Sequence, residues 1–131
     1  MTDYFGLDVP FLRYCAIRAV DRGDGWTLSA VDLEPHHMNS HGSGHGGLIM
    51  TLLDVAMGSA ARLSEPSSTG VITLNLQTTF LRPATGRVLC QSRVRSRTAR
   101  TVYCDADVTD AQGSLLAHGT ATFMLVTRDT A

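Results

Sequence analysis

A chain of 131 residues with 44% hydrophobic content is long enough for one buried core and no more, so a single domain over residues 1–131 is expected. The formal net charge of -1, with every basic residue an arginine, argues against a nucleic-acid-binding surface, because such domains concentrate positive charge. Cys15, Cys90 and Cys104 are an odd number with no CxxC pair, and the N-terminus lacks a basic region followed by an apolar one, so a reduced, cytoplasmic setting is expected.

Residues 1 to 10 read as a short arm or irregular helix ending near Pro10. Tyr14 to Val20 alternates Cys15, Ile17 and Ala19 against Arg18, which suits a strand; a turn over residues 21–25 and a returning strand from Trp26 to Leu33 complete a hairpin. The loop from Glu34 to Gly44 is too rich in Gly, Ser, Asn and His to be regular, and a helix is expected from His45 or Gly46 to about Leu63. This run falls short of the ~20 apolar residues of a bilayer span and carries Asp54 in its middle, so no membrane span is expected. On a helical wheel Gly47, Thr51, Asp54, Gly58 and Ala61 share one narrow stripe while apolar side chains cover the rest, which predicts a helix buried nearly all round with a seam of small and polar residues.

Beyond residues 65–70 the period changes to two. Val71 to Phe80 sets Ile72, Leu74, Leu76 and Phe80 against Thr73, Asn75, Gln77 and Thr79, and further strands are expected over residues 87–97, 101–109 and 115–126. Two strands, a long helix and an antiparallel meander make an α+β fold, with one sheet packed on one central helix.

The chemistry concentrates between His36 and Leu63. An ionised acid in an apolar helix costs on the order of several kcal/mol unless it is paired, hydrated or put to use, and Asp54 is such an acid. Gly46 and Gly47 leave backbone N–H groups at the positive end of the helix, where an anion or a polarised carbonyl is favoured, although glycines there also serve tight packing. With Asn39 and a polar strand face starting at Thr73, Asp54 and Gly46 supply what acyl transfer needs: an acid, an oxyanion donor and groups that hold a water. His36, His37, His41 and His45 raise the question of a metal, but glycine disfavours the helix that would align them and no Cys or carboxylate completes a set, so no metal is expected. Backbone hydrogen bonds are the plainer role for these histidines, and for His45 the sharper one is to shape a binding site.

Asp54 lies eight residues after Gly46, so the two are ~12 Å apart along one helix. A carboxylate and an oxyanion donor serving one carbonyl must both approach within about 3–3.5 Å of the reacting atoms. One helix therefore cannot easily supply both, whereas two antiparallel copies across a two-fold axis can, and an obligate homodimer is expected.

The run Asn39-Ser40-His41-Gly42-Ser43-Gly44-His45-Gly46-Gly47, followed by Leu52-Leu53-Asp54, resembles the N-x-x-G-x-x-H-G-G…D signature of hotdog-fold acyl-CoA thioesterases of the phenylacetate-degradation (PaaI) type. The likeness continues through residues 72–76, 80–86 and 110–117. It implies an antiparallel sheet wrapped around the long helix, dimers that often pair into tetramers, and acyl-CoA as substrate without metal or organic cofactor. It further implies that the Gly46 amide polarises the thioester carbonyl and that Asp54 of the partner chain attacks or activates water. Asn39 then orients water or substrate, Thr73 helps hold the water or carboxylate, and His45 and Gly47 line the substrate site. Gly44 is smaller than the side chain relatives often carry there, which implies a looser loop or a larger acyl pocket. Coenzyme A brings phosphates; Arg93 and Arg95 alternate on one strand as a solvated face would, and a nucleotide contact is their other reading. From a different class, a non-catalytic acyl-CoA-binding or regulatory protein on the same fold is the runner-up, and Asp54 argues against it because a binder needs no acid there.

Overall fold

The computed structural model describes residues 3–127. Its elements are α1 (Pro10–Cys15), β1 (Arg18–Gly23), β2 (Trp26–Asp32), a 3-10 turn (Pro35–His37), α2 (Gly46–Leu63), β3 (Gly70–Phe80), β4 (Arg87–Arg97), β5 (Thr101–Asp110) and β6 (Leu115–Val126). All strand pairs are antiparallel, in the order β1-β2-β4-β5-β6-β3. The chain thus leaves β2, runs through α2 across the sheet and returns as the strand at the far edge. α2 packs against β2, β3, β4, β5 and β6, which is the hotdog arrangement of a sheet wrapped around one helix.

The wrapping follows from side-chain chemistry. Leu52, Leu53, Ala56 and Met57 of α2 are fully buried against Val31, Val88, Val102, Val108 and Phe123 of the sheet. At the centre, Thr27 and Ser92 Oγ atoms lie 2.8 and 2.9 Å from the Ala56 carbonyl and 2.6 Å from each other, so two hydroxyl protons serve three short contacts. This buried polar knot ties the middle of α2 to β2 and β4. Nearby, Gly58 permits a close approach, because a Cβ there would sit 3.3 Å from Phe123 and 3.4 Å from Val71.

Four expectations change. Pro10 opens a helix instead of closing an arm: its fixed φ suits the first helical position, and Leu12 and Cys15, three apart, bury one side. Tyr14 and Cys15 are therefore helical, and the strand starts at Arg18. α1 ends in a Schellman motif, with Ala16 N–H donating to Arg13 O and Ile17 N–H to Leu12 O; the left-handed position is held by Ala16 (φ 58°) where glycine is usual, so no stop signal is visible. β3 does not keep one phase. A bulge between Thr73 and Asn75 shifts its register on β6, so Val71 and Thr73 face α2 before the bulge and Phe80 does so after it. Ile72 and Leu74 consequently point outward, 48% and 53% exposed. Finally, α2 is buried all round only in its C-terminal half, since Gly47 and Met50 are exposed.

The three thiols are free and buried, and burial pushes the Cys104 thiol up to about 12, which keeps it protonated. Phe123 is the largest fully buried side chain and holds Gly58 in place. Phe123→Ala should cost about 3–5 kcal/mol in chemical denaturation, and a cost under about 1 kcal/mol would contradict this account of the core.

Candidate active site

The loop before α2 is closed by its own polar groups. Asn39 Oδ1 accepts from the His41 and Ser43 amides at 2.8 and 3.2 Å, and Asn39 Nδ2 donates to Ser43 Oγ at 3.1 Å. His37 is buried, with Nδ1 accepting from Glu34 N–H and Nε2 2.7 Å from Cys15 O, so it performs the backbone role expected of the loop histidines. Gly44 N–H donates to Ala84 O at 2.8 Å and His45 N–H to His37 O at 2.8 Å. The space a side chain would need at Gly44 is filled: a Cβ there would meet Leu33 at 3.1 Å and Ala84 at 3.4 Å. The expected looser loop or larger pocket at Gly44 is thus replaced by a tight junction, because Leu33 occupies the room.

At the N-terminus of α2 the amides are unevenly used. His45 caps the helix, its Nδ1 accepting from Gly47 N–H at 2.9 Å, and Leu48 and Ile49 N–H donate to His45 O. The Gly46 N–H has no acceptor among the described residues. It is the one amide of the first turn left over, at the positive end of the helix, and it opens into a cleft of about 350 Å³ shared with Asn39, Ser43, Phe80 and Arg82. A neutral His45 that accepts on Nδ1 carries its proton on Nε2, so this cap fixes the tautomer as well as the amide.

Asp54 lies two turns further on. It is half-buried, and one carboxylate oxygen accepts from Thr73 Oγ1 at 2.8 Å across from β3. Both residues wall a second cleft of about 270 Å³ that follows α2 to Arg62 and is closed beneath by the arm around Tyr4 and Leu7. The expected site residues therefore form two groups in one chain: Asn39, His45, Gly46 and Gly47 at the helix start, and Asp54 with Thr73 in the middle. Arg93 and Arg95 join neither. Arg93 follows Ser92, whose side chain turns toward α2, and so points to the outer face of the sheet, where Asp105 (3.2 Å) and Asp107 (3.6 Å) hold its guanidinium. Arg95 is the extra residue of a bulge in β4 and is exposed.

Sequence reasoning passed over two contributors. Phe80 covers Gly46, with its ring 3.4 Å from where a Cβ would stand, and only the β3 bulge puts it there. The arm residues Tyr4 and Leu7 floor the Asp54 cleft; the signal for them was the aromatic content of a segment otherwise too irregular to assign.

A profile of the thioesterase superfamily matches residues 41–117. A candidate esterase of Halobacterium salinarum is 31% identical over 137 aligned positions, which cover 93% of this chain and 88% of that protein. Among solved structures, the PaaI protein from the phenylacetic acid degradation operon of Escherichia coli is similar with a TM-score of 0.84 at 18% identity, over 91% of this chain and 86% of its own. A thioesterase of Haemophilus influenzae also gives 0.84 at 18% identity, over 89% of this chain and 82% of its own. At these identities the solved structures establish the fold.

A half-buried carboxylate with one hydrogen bond contributes little to folding. Asp54→Asn, which keeps an acceptor for Thr73, is expected to change unfolding free energy by less than about 1 kcal/mol. A loss above about 3 kcal/mol in the same denaturation experiment would make Asp54 a structural residue.

Proposed function

The chain belongs to the thioesterase superfamily, and on that footing we propose that it hydrolyses an aryl-acyl or medium-chain acyl-CoA to the free acid and coenzyme A. The observation that carries this reading is the unshared Gly46 amide in an open cleft at the positive end of α2. A thioester oxygen placed there gains its hydrogen bond mainly as charge develops on it, which is the condition for lowering the barrier rather than merely binding the substrate. Asp54 then either takes a proton from the attacking water as the C–S bond breaks and the thiolate of coenzyme A leaves, or adds to the carbonyl itself and expels that thiolate, leaving an acyl anhydride that water cleaves to the free acid. In both roles Thr73 Oγ1 fixes the carboxylate through one oxygen, and the second has no hydrogen-bond partner among the described residues. Asn39 uses its carbonyl oxygen within the loop and one Nδ2 proton on Ser43, and the remaining Nδ2 proton is what it offers to substrate or water.

Gly46 and Asp54 stay ~12 Å apart on one rigid helix, so the reading includes a homodimer in which Gly46 of one protomer meets Asp54 of the other. Two features support it. The outer edge of β3 has no strand partner among the described residues, and that strand carries exposed Ile72 and Leu74 over a span of 11 residues. The side of α2 that bears Gly47 and Met50 is likewise uncovered in a single chain. A dimer of dimers extends the same reading, with cytoplasmic acyl-CoA as the substrate pool. For the phosphates of coenzyme A, Arg95 retains unengaged donors, whereas Arg93 is held by Asp105 and Asp107.

Two variants test the roles separately. Gly46→Pro deletes the amide hydrogen at the first helical position, where proline is well accommodated, and His45 already has the extended conformation (φ -61°, ψ 136°) that a following proline requires. Turnover measured by thiol release should fall about 10²–10³-fold with helix content unchanged by circular dichroism. Asp54→Asn should abolish turnover and leave acyl-CoA binding intact. Turnover retained in either variant would refute that residue's role, and a wild-type protein that binds acyl-CoA without cleaving it would favour the binder.

A further inference from the structure

Resting on the reading above, we propose that the cleft beside Asp54 is the acyl pocket and that Arg62 at its far end selects acyl groups whose distal end carries a carboxylate. The cleft follows one side of α2, where Asp54, Val55, Gly58, Ser59 and Arg62 recur at helical spacing. Leu7, Val9, Val71 and Phe123 supply apolar lining, which suits a hydrocarbon stem. Arg62 interrupts that chemistry. Its guanidinium is half-buried, burial and the nearby Arg22 charge draw its pKa below the ordinary arginine value, and no carboxylate pairs with it among the described residues. Its one hydrogen bond among the described residues is Nη2 donating to Phe5 O at 2.6 Å, so most of its five N–H donors are not spent on them.

Asp54 is not its counter-ion: no ion pair joins them among the described residues, and Asp54 stands eight residues, ~12 Å of helical rise, nearer the start of α2. The pocket therefore has an acid at the end where the thioester would react and a cation at the end where the acyl chain would stop. A half-buried guanidinium in a largely apolar trough favours a planar anion that takes two parallel hydrogen bonds, which is a carboxylate. Tyr4, whose hydroxyl lies 2.6 Å from Ser29 Oγ, lines the same trough beside Ser59 and Arg62. A purely structural Arg62, clamping the arm through Phe5 O, would not distinguish one acyl terminus from another.

The test compares kcat/KM for length-matched pairs: adipoyl-CoA against hexanoyl-CoA, and suberoyl-CoA against octanoyl-CoA. The carboxylated member of at least one pair should be preferred by about tenfold or more. Arg62→Met should collapse that ratio and Arg62→Lys should retain part of it; a general loss from an unseated arm would move both members of a pair alike. Titration calorimetry of the Asp54→Asn protein with the same pairs reads the preference without turnover. Hydrolysis of both members with equal kcat/KM, or a ratio unchanged by Arg62→Met, would overturn the pocket assignment while leaving the thioesterase reading. A binding preference for the carboxylated member with no hydrolysis by the wild-type protein would uphold the pocket and overturn the thioesterase reading.

Discussion

A helix of eighteen residues is a rigid ruler, and the spacing of two groups along it governs how this molecule can work. The Gly46 amide and the Asp54 carboxylate are fixed ~12 Å apart by the helical rise, and no loop motion can bring them together. In the proposed reaction the amide receives charge from the carbonyl and the carboxylate delivers water or itself attacks. In the proposed homodimer this constraint makes each chain a donor of two half-sites, and the two-fold symmetry would complete both at once.

The surroundings keep the ruler in place. Its start is set by backbone bonds from Gly44 to Ala84 and from His45 to His37, and by the His45 cap that takes the Gly47 amide and leaves the Gly46 amide over. Its middle is fixed by the hydroxyls of Thr27 and Ser92 at the Ala56 carbonyl, two residues beyond Asp54. Close contacts of Gly58 with Phe123 and Val71 limit sliding toward the C-terminus. Groups held this firmly cost little reorganisation when charge develops, and preorganisation of this kind is where electrostatic catalysis draws its strength.

Most of the architecture could be read from the chain because local pattern and tertiary burial agree there. α2 and β4 to β6 have clear periods and turn residues at their ends, and their observed bounds fall within a residue of expectation. The misreadings occur where a residue does the work usually given to another. Ala16 holds a left-handed cap without glycine, which hid α1, and Pro10 starts that helix in a place where it reads as a stop. The bulge at Thr73 leaves no mark in the alternation of β3, yet it puts Thr73 against Asp54 and Phe80 against Gly46 on the same side of the sheet. Within the candidate site, the pairing of Thr73 with Asp54 was offered only by the family resemblance, whereas the glycines at the helix start, the acid in its middle and the separation between them were legible from composition and spacing. The tight packing at Gly44, the engagement of Arg93 by Asp105 and Asp107, and the long cleft ending at Arg62 were not, because each depends on residues distant in sequence.

The claim that two chains share each site is tested most directly by mixing two inactive proteins. A Gly46→Pro chain keeps a sound Asp54, and an Asp54→Asn chain keeps a sound Gly46 amide, so a heterodimer of the two contains one intact site and one doubly damaged site. After unfolding and refolding together at equal concentrations, the mixture should recover up to about a quarter of wild-type turnover, since about half the dimers are mixed and each has one working site. No recovery above the sum of the separate variants, with mixed dimers shown to be present, would contradict the shared site.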